Sequence, residues 1–139
     1  MIDDEIRELL DKISYKMRRD YSELLRNLHL HVGQDQLLCK LWTEDGITQI
    51  QLSERLKCEP PTVTNMVRTL ESNGFVYRER DLADGRISRV YLTAKGSELQ
   101  EPVTQLWKKQ QEKLLTGIMP EERMLLRRLM QQMAGNLFC

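Results

Sequence analysis

Two consecutive prolines, Pro60 and Pro61, constrain this chain more than any other pair of residues. The residue before a proline is pushed toward extended geometry, so no helix runs into the pair, yet proline is accommodated in a helix's own first turn. Cys58-Glu59-Pro60-Pro61 is therefore a turn that starts a helix. Val63, Met66, Val67 and Leu70 then recur at i, i+3, i+4 and i+7, which puts them on one buried face. At about 100° per residue, Pro61, Asn65, Arg68 and Ser72 project from the opposite side, flanked by Thr62, Thr64 and Thr69. Gly74 ends this helix as a C-cap. Upstream, Thr48 caps a helix over residues 49–57 with Leu52 and Leu56 inward. Two short helices meeting across a tight turn make a helix-turn-helix.

The flanks extend this unit in both directions. Residues 75–80 and 87–92 alternate and are rich in strand formers, so they predict a hairpin whose loop carries Asp84 and Arg86. Thr93 then caps a helix from Ala94 to about Thr116, and Pro102 inside it predicts a kink. Before the helix-turn-helix, a long amphipathic helix is predicted from Asp3 to about Leu28, followed after His29, His31 and Gly33 by a helix over Gln34 to Trp42. Ile47 contributes a short strand. Beyond Pro120, Leu125, Leu126, Leu129, Met130, Met133 and Leu137 define a last apolar stripe. The expected class is mainly α with a small β-wing.

Lys plus Arg and Asp plus Glu both number 21, so the net charge is zero and any case for nucleic acid is local. The helix after Pro60-Pro61 offers small hydroxyls, an amide and a guanidinium, groups suited to base edges and phosphates. Asn65 and Arg68 fit adenine and guanine edges, although the same residues suit a solvated surface; the threonines fit phosphates better than bases. From Gly85 to Gly96 the chain carries Arg86, Arg89 and Lys95 and no acid, which predicts phosphate contact. For Arg78 and Arg80, split by Glu79, pairing within the hairpin competes with that role.

Other function classes find little support. No G-x-S-x-G, H-E-x-x-H or phosphate-binding glycine loop is present, so no catalytic residue, enzyme activity or cofactor is expected. His29 and His31 do not share a helical face, and Cys39, Cys58 and Cys139 are widely spaced with no C-x-x-C pair, so no metal site or disulfide framework is expected. Cys58 and Cys139 are either incidental thiols or oxidisable ones. No stretch approaches the roughly 18–20 apolar residues of a membrane span. The acidic start, Asp3-Asp4-Glu5, has the wrong sign for a signal peptide, and a cytoplasmic protein without a membrane partner is expected.

The run Asp84-Gly85-Arg86-Ile87-Ser88-Arg89-Val90-Tyr91-Leu92-Thr93-Ala94-Lys95-Gly96 resembles the D-x-R-x-x-x-V-x-L-T-x-x-G signature of the MarR family of bacterial transcription regulators. Residues 70–78 resemble that family's L-E-x-x-G-hydrophobic-hydrophobic-x-R segment, and Gln36-Leu37-Leu38 its second-helix pattern. The resemblance implies a homodimeric repressor that binds double-stranded DNA at a pseudo-palindromic operator. Residues 34–96 would form the winged DNA-binding part and residues 1–30 and 97–139 the dimerisation part, within a single unit over 1–139. It further implies that Pro61, Thr62, Thr64, Asn65, Arg68 and Thr69 face the major groove, and that Arg86, oriented by Asp84, enters the minor groove, with Arg89 adding a DNA contact. A pocket for a small-molecule effector, bordered by His29, His31 and Trp42, is also implied, though Trp42 equally suits core packing. The peroxide-sensing branch of the family carries a cysteine in the first helix, where this chain has Ser14 and Tyr15. A monomeric helical core, a winged helix that binds protein, and a thiol switch are the competing readings.

Overall fold

The computed structural model describes residues 1–138. Its elements are α1 (Ile2–Arg26), α2 (Gln34–Thr43), β1 (Ile47–Thr48), α3 (Gln49–Leu56), α4 (Pro60–Ser72), β2 (Val76–Arg80), β3 (Ser88–Leu92), α5 (Ala94–Glu98), α6 (Gln100–Leu114) and α7 (Pro120–Phe138). The chain forms two compact units, one reaching Leu106 and the other starting at Trp107. Cys139, one of the two candidate oxidisable thiols, lies outside the described residues.

In the first unit, the helix-turn-helix forms as the prolines dictate. Pro60 opens α4, and Val63, Val67 and Leu70 are fully buried along its inner face. Thr48 caps α3 reciprocally with Gln51, each accepting the other's backbone N–H. The helix stops one residue before the predicted end because Lys57 takes a left-handed conformation at φ 55°. A similar tightening ends α1 early: the amides of Leu28 and His29 bond carbonyls three residues back, and His29 turns to φ 61°. The hairpin strands pair antiparallel from Val76↔Leu92 to Arg80↔Ser88, and β1 adds to β3 through Ile47↔Val90, giving the order β1-β3-β2. Phe75, Val76 and Val90 anchor this sheet in the same core as Leu37, Leu38, Leu41 and Leu52.

Pro102 acts as predicted, but its effect appears a turn earlier. The proline lacks the N–H that would bond the carbonyl of Glu98, and its ring crowds that carbonyl. The helix accordingly breaks at Leu99, whose amide turns back to Gly96 at 3.3 Å, dividing α5 from α6.

The long terminal helices leave much apolar surface in water. On α1, Leu25 is the buried residue, while Ile6, Leu9, Leu10 and Ile13 are between 41% and 55% exposed. In the second unit, none of the described residues of α7 is buried, and Leu125, Leu129 and Met130 are exposed. No described helix is long and apolar enough to cross a membrane.

Candidate nucleic-acid interface

The outer face of α4 presents the side chains that its periodicity predicts. Pro61, Thr62, Asn65, Arg68 and Thr69 are exposed, and Thr64 is half-buried. The side chains of Thr62, Asn65 and Arg68 have no hydrogen-bond or ion-pair partner among the described residues, so their donors remain available to an incoming ligand. Thr64 and Thr69 differ. Their hydroxyls donate to the carbonyls of Pro60 and Asn65 at 3.0 and 3.1 Å, one turn back along α4. A hydroxyl has one proton and a phosphate oxygen only accepts, so either threonine must rotate before it can hold a phosphate. Thr64 also accepts a bond from the Gln49 amide on α3 at 3.3 Å, a cross-link that helical periodicity does not reveal.

The wing loop is shaped by its own carboxylates. Asp81 accepts the amides of Ala83 and Asp84 on one oxygen and Arg89 Nε, at 2.7 Å, on the other. Asp84 accepts the backbone amide of Arg86 and is gripped bidentately by its guanidinium, through Nε and a terminal nitrogen, both at 3.1 Å. The Arg89 bond and then the Asp84 amide hold the Asp81 carboxyl below its ordinary pKa. Arg86, through side chain and backbone, does the same for Asp84. Arg86 remains 90% exposed at the tip while Asp84 orients it, the arrangement that the resemblance implies.

Arg89 and Lys95 point elsewhere than expected. Arg89 is drawn inward, with a second nitrogen donating to the carbonyl of Gly46 at 2.9 Å, so it ties the wing's root to the turn before β1. The bond to Asp81 raises its pKa further. Lys95 donates to the carbonyl of Asn73 at 3.0 Å and lies over the Phe75 ring, 5.0 Å from its centre. The locally positive wing read from the sequence thus reduces to Arg86 at the tip. Arg78 pairs with Glu71 on α4 at 3.0 Å, which joins the wing to that helix.

The signature's second half is a clamp. Thr93 caps α5 at the Gly96 amide, donates its hydroxyl to the carbonyl of Gly74 at 2.6 Å and its amide to that of Phe75 at 3.1 Å. The Gly96 carbonyl accepts the Trp42 indole N–H at 3.0 Å. Trp42 is thereby built into the packing where α2 meets α5. His29 and His31 lie exposed in the turn after α1, and neither they nor Trp42 line the open cleft of about 610 Å³ between α3, α4 and the wing, whose walls include Gln49, Glu71, Arg78, Arg80 and Arg86. Sequence reasoning missed Gln49 and Asp81. Asp81 had a signal, since an aspartate opening a hairpin loop can bond the amides two and three residues on.

Comparison with known proteins matches these features. The family model described as "MarR family" matches residues 30–88, which run from α2 through the wing loop. The uncharacterized HTH-type transcriptional regulator YdgJ of Bacillus subtilis is 32% identical over 102 residues, 73% of this chain and 62% of that protein. The organic hydroperoxide resistance transcriptional regulator of the same organism is 31% identical over 93 residues, 67% of this chain and 63% of that protein. The chain thus spans less than two thirds of the length of either relative. The structure of Staphylococcus aureus MepR in complex with DNA superposes with a TM-score of 0.83 at 26% identity, covering 94% of this chain and 96% of that one. Its signature residues, its helix-turn-helix with a paired wing and these likenesses agree: residues 30–88 are a MarR-family domain.

Proposed function

We propose that the protein is a homodimeric transcription regulator that binds double-stranded DNA at a pseudo-palindromic operator. The observation that carries this reading is the exposed face of α4, where Thr62, Asn65 and Arg68 keep their hydrogen-bonding groups free, beside a wing that presents Arg86. Helix residues of this kind suit the major groove, and an exposed guanidinium on a hairpin suits a narrow minor groove. The likeness to MepR, a protein solved on DNA, supports the same docking.

The apolar stripes of α1 and α7 support a dimer, because both expose leucine and isoleucine or methionine side chains that a second copy would cover. A two-fold dimer matches a palindrome whose half-sites lie about one helical turn apart. Repression, with release by a small-molecule effector, completes the reading on the family resemblance.

Selection of bound sequences from a random DNA pool tests this directly. A palindromic consensus with affinity falling steeply as salt rises supports it. Recovery of no sequence, or affinity insensitive to salt, would instead favour a winged helix that binds protein.

A further inference from the structure

We infer that Leu82 is an apolar wedge for the DNA minor groove, carried on the same wing loop as Arg86. The inference rests on the regulator reading above and adds a contact that the signature residues do not contain.

Leu82 is fully exposed, at 106% of the reference value, the highest among the large apolar side chains of the described residues. It is held out by the loop. The Asp81 amide donates to the carbonyl of Ile87 at 2.8 Å and closes the loop's base, while the Asp81 carboxylate accepts the amides of Ala83 and Asp84 at 3.1 and 3.0 Å. Leu82 lies between these anchored residues, one position from the loop's base. An isobutyl group left in water contributes nothing to hydrophobic stabilisation of the fold, and a polar residue would suit this turn better. Arg86 emerges from the same loop, with Asp84 fixing its direction.

A guanidinium drawn into a narrow, electronegative groove brings the loop that carries it along. There Leu82 meets deoxyribose walls and the edges of stacked bases, where apolar side chains pry open a base step. Opening a step is easiest at pyrimidine–purine steps such as TA and CA. Leu82 therefore contributes preference for a deformable step under the wing, without hydrogen bonding any base.

The test uses the full chain and DNA selected by the wild type, with the step under the wing located by hydroxyl-radical footprinting and made either TA or part of a stiff A-tract. Wild type, Leu82→Ser and Leu82→Met are titrated on both DNAs at several salt concentrations. The expected result is a roughly tenfold loss for Leu82→Ser on the TA site, equivalent to about 1.4 kcal/mol. Its salt slope stays that of the wild type, its preference for TA disappears, and Leu82→Met retains both affinity and preference. Unchanged affinity and preference in Leu82→Ser would overturn the wedge, as would an equal loss on both DNAs or a loss with a shallower salt slope, which would report a displaced Arg86. If the wild type selects no DNA, the regulator reading fails and the wedge with it; if it selects DNA and Leu82→Ser is indistinguishable, only the wedge fails.

Discussion

Gly96 lies so close to the carbonyl oxygen of Phe75 that no β-carbon fits between them. Its φ is ordinary, so the constraint is space and not backbone conformation. The close approach lets the start of α5 sit on the segment between α4 and β2, where Thr93 and Lys95 bond the carbonyls of Gly74 and Asn73. Gly96→Ala must push these elements apart, and overpacking of this kind costs about 1–3 kcal/mol. Urea unfolding should show that loss as a lower midpoint. Gly85→Ala, where nothing lies within 4 Å, should leave it within about 0.5 kcal/mol of the wild type.

Thr93→Ala removes the cap on the Gly96 amide and the 2.6 Å bond to the Gly74 carbonyl together. Loss of a threonine cap costs about 0.5–2 kcal/mol, and Thr93→Ser, which keeps the hydroxyl, should recover most of it. Denaturant midpoints of the two variants check this.

Much of this site is legible in the sequence because periodicity and turn chemistry act locally. Pro60-Pro61, the Val63-Val67-Leu70 stripe and the Thr48 cap each encode their structure within a few residues, and each forms as predicted. Arg89 and Lys95 were not legible in the same way. Their positions depend on partners, Gly46 and Asn73, that are 43 and 22 residues away. Charge counted along the chain cannot distinguish a cation aimed at solvent from one spent on a carbonyl. The break at Leu99 is intermediate: proline predicts a disruption, and the crowded carbonyl at i−4 decides where it falls.

The wing should loosen in acid. Asp81 and Asp84 both have pKa values lowered in the fold, the first chiefly by Arg89 and the second by Arg86. For a carboxyl with a lowered folded pKa, the stabilisation is complete above its unfolded value, about 3.9, and disappears as pH falls through the folded value. Wing order is therefore expected to be flat with pH through neutrality and to decline below about pH 4. NMR amide shifts of Ala83, Asp84 and Arg86 should move together in that acid range. In Asp81→Asn the acid transition at Ala83 should vanish; its persistence would show that Asp81 does not organise the loop.

Arg68→Ala and Arg86→Ala should act differently from Arg89→Ala. The first two remove exposed cations from the proposed contact surface, so each should weaken operator binding; Arg68→Ala leaves the fold intact, and Arg86→Ala, which loses the side-chain grip on Asp84, keeps the backbone amide bond to it. A cation that contacts phosphate reduces the salt slope by about 1 when removed, and one that pairs with a base costs about 1–3 kcal/mol at one position of the site. Arg89 holds Asp81 and the Gly46 carbonyl, so its removal should first lower the ordering of the wing. Binding titrations over salt, paired with amide protection in the wing, separate the two behaviours. Loss of affinity in Arg89→Ala with full wing protection would return Arg89 to direct DNA contact.

Leu9→Glu with Ile13→Glu tests whether the exposed stripe of α1 is a subunit interface. Both residues stand more than 40% exposed in the single chain, so acidic replacements should leave its own core intact. In a two-fold dimer each replacement appears twice, and burying a polar group without a partner costs about 1–3 kcal/mol. Four such groups cost at least about 4 kcal/mol, so the pair should weaken association by roughly three orders of magnitude, converting dimer to monomer at micromolar concentration in sedimentation equilibrium. Affinity for a palindromic site should fall with it, while affinity for an isolated half-site stays unchanged, because a half-site needs one lobe. A variant that sediments as the wild type does would remove α1 from the interface and leave its apolar stripe to another partner.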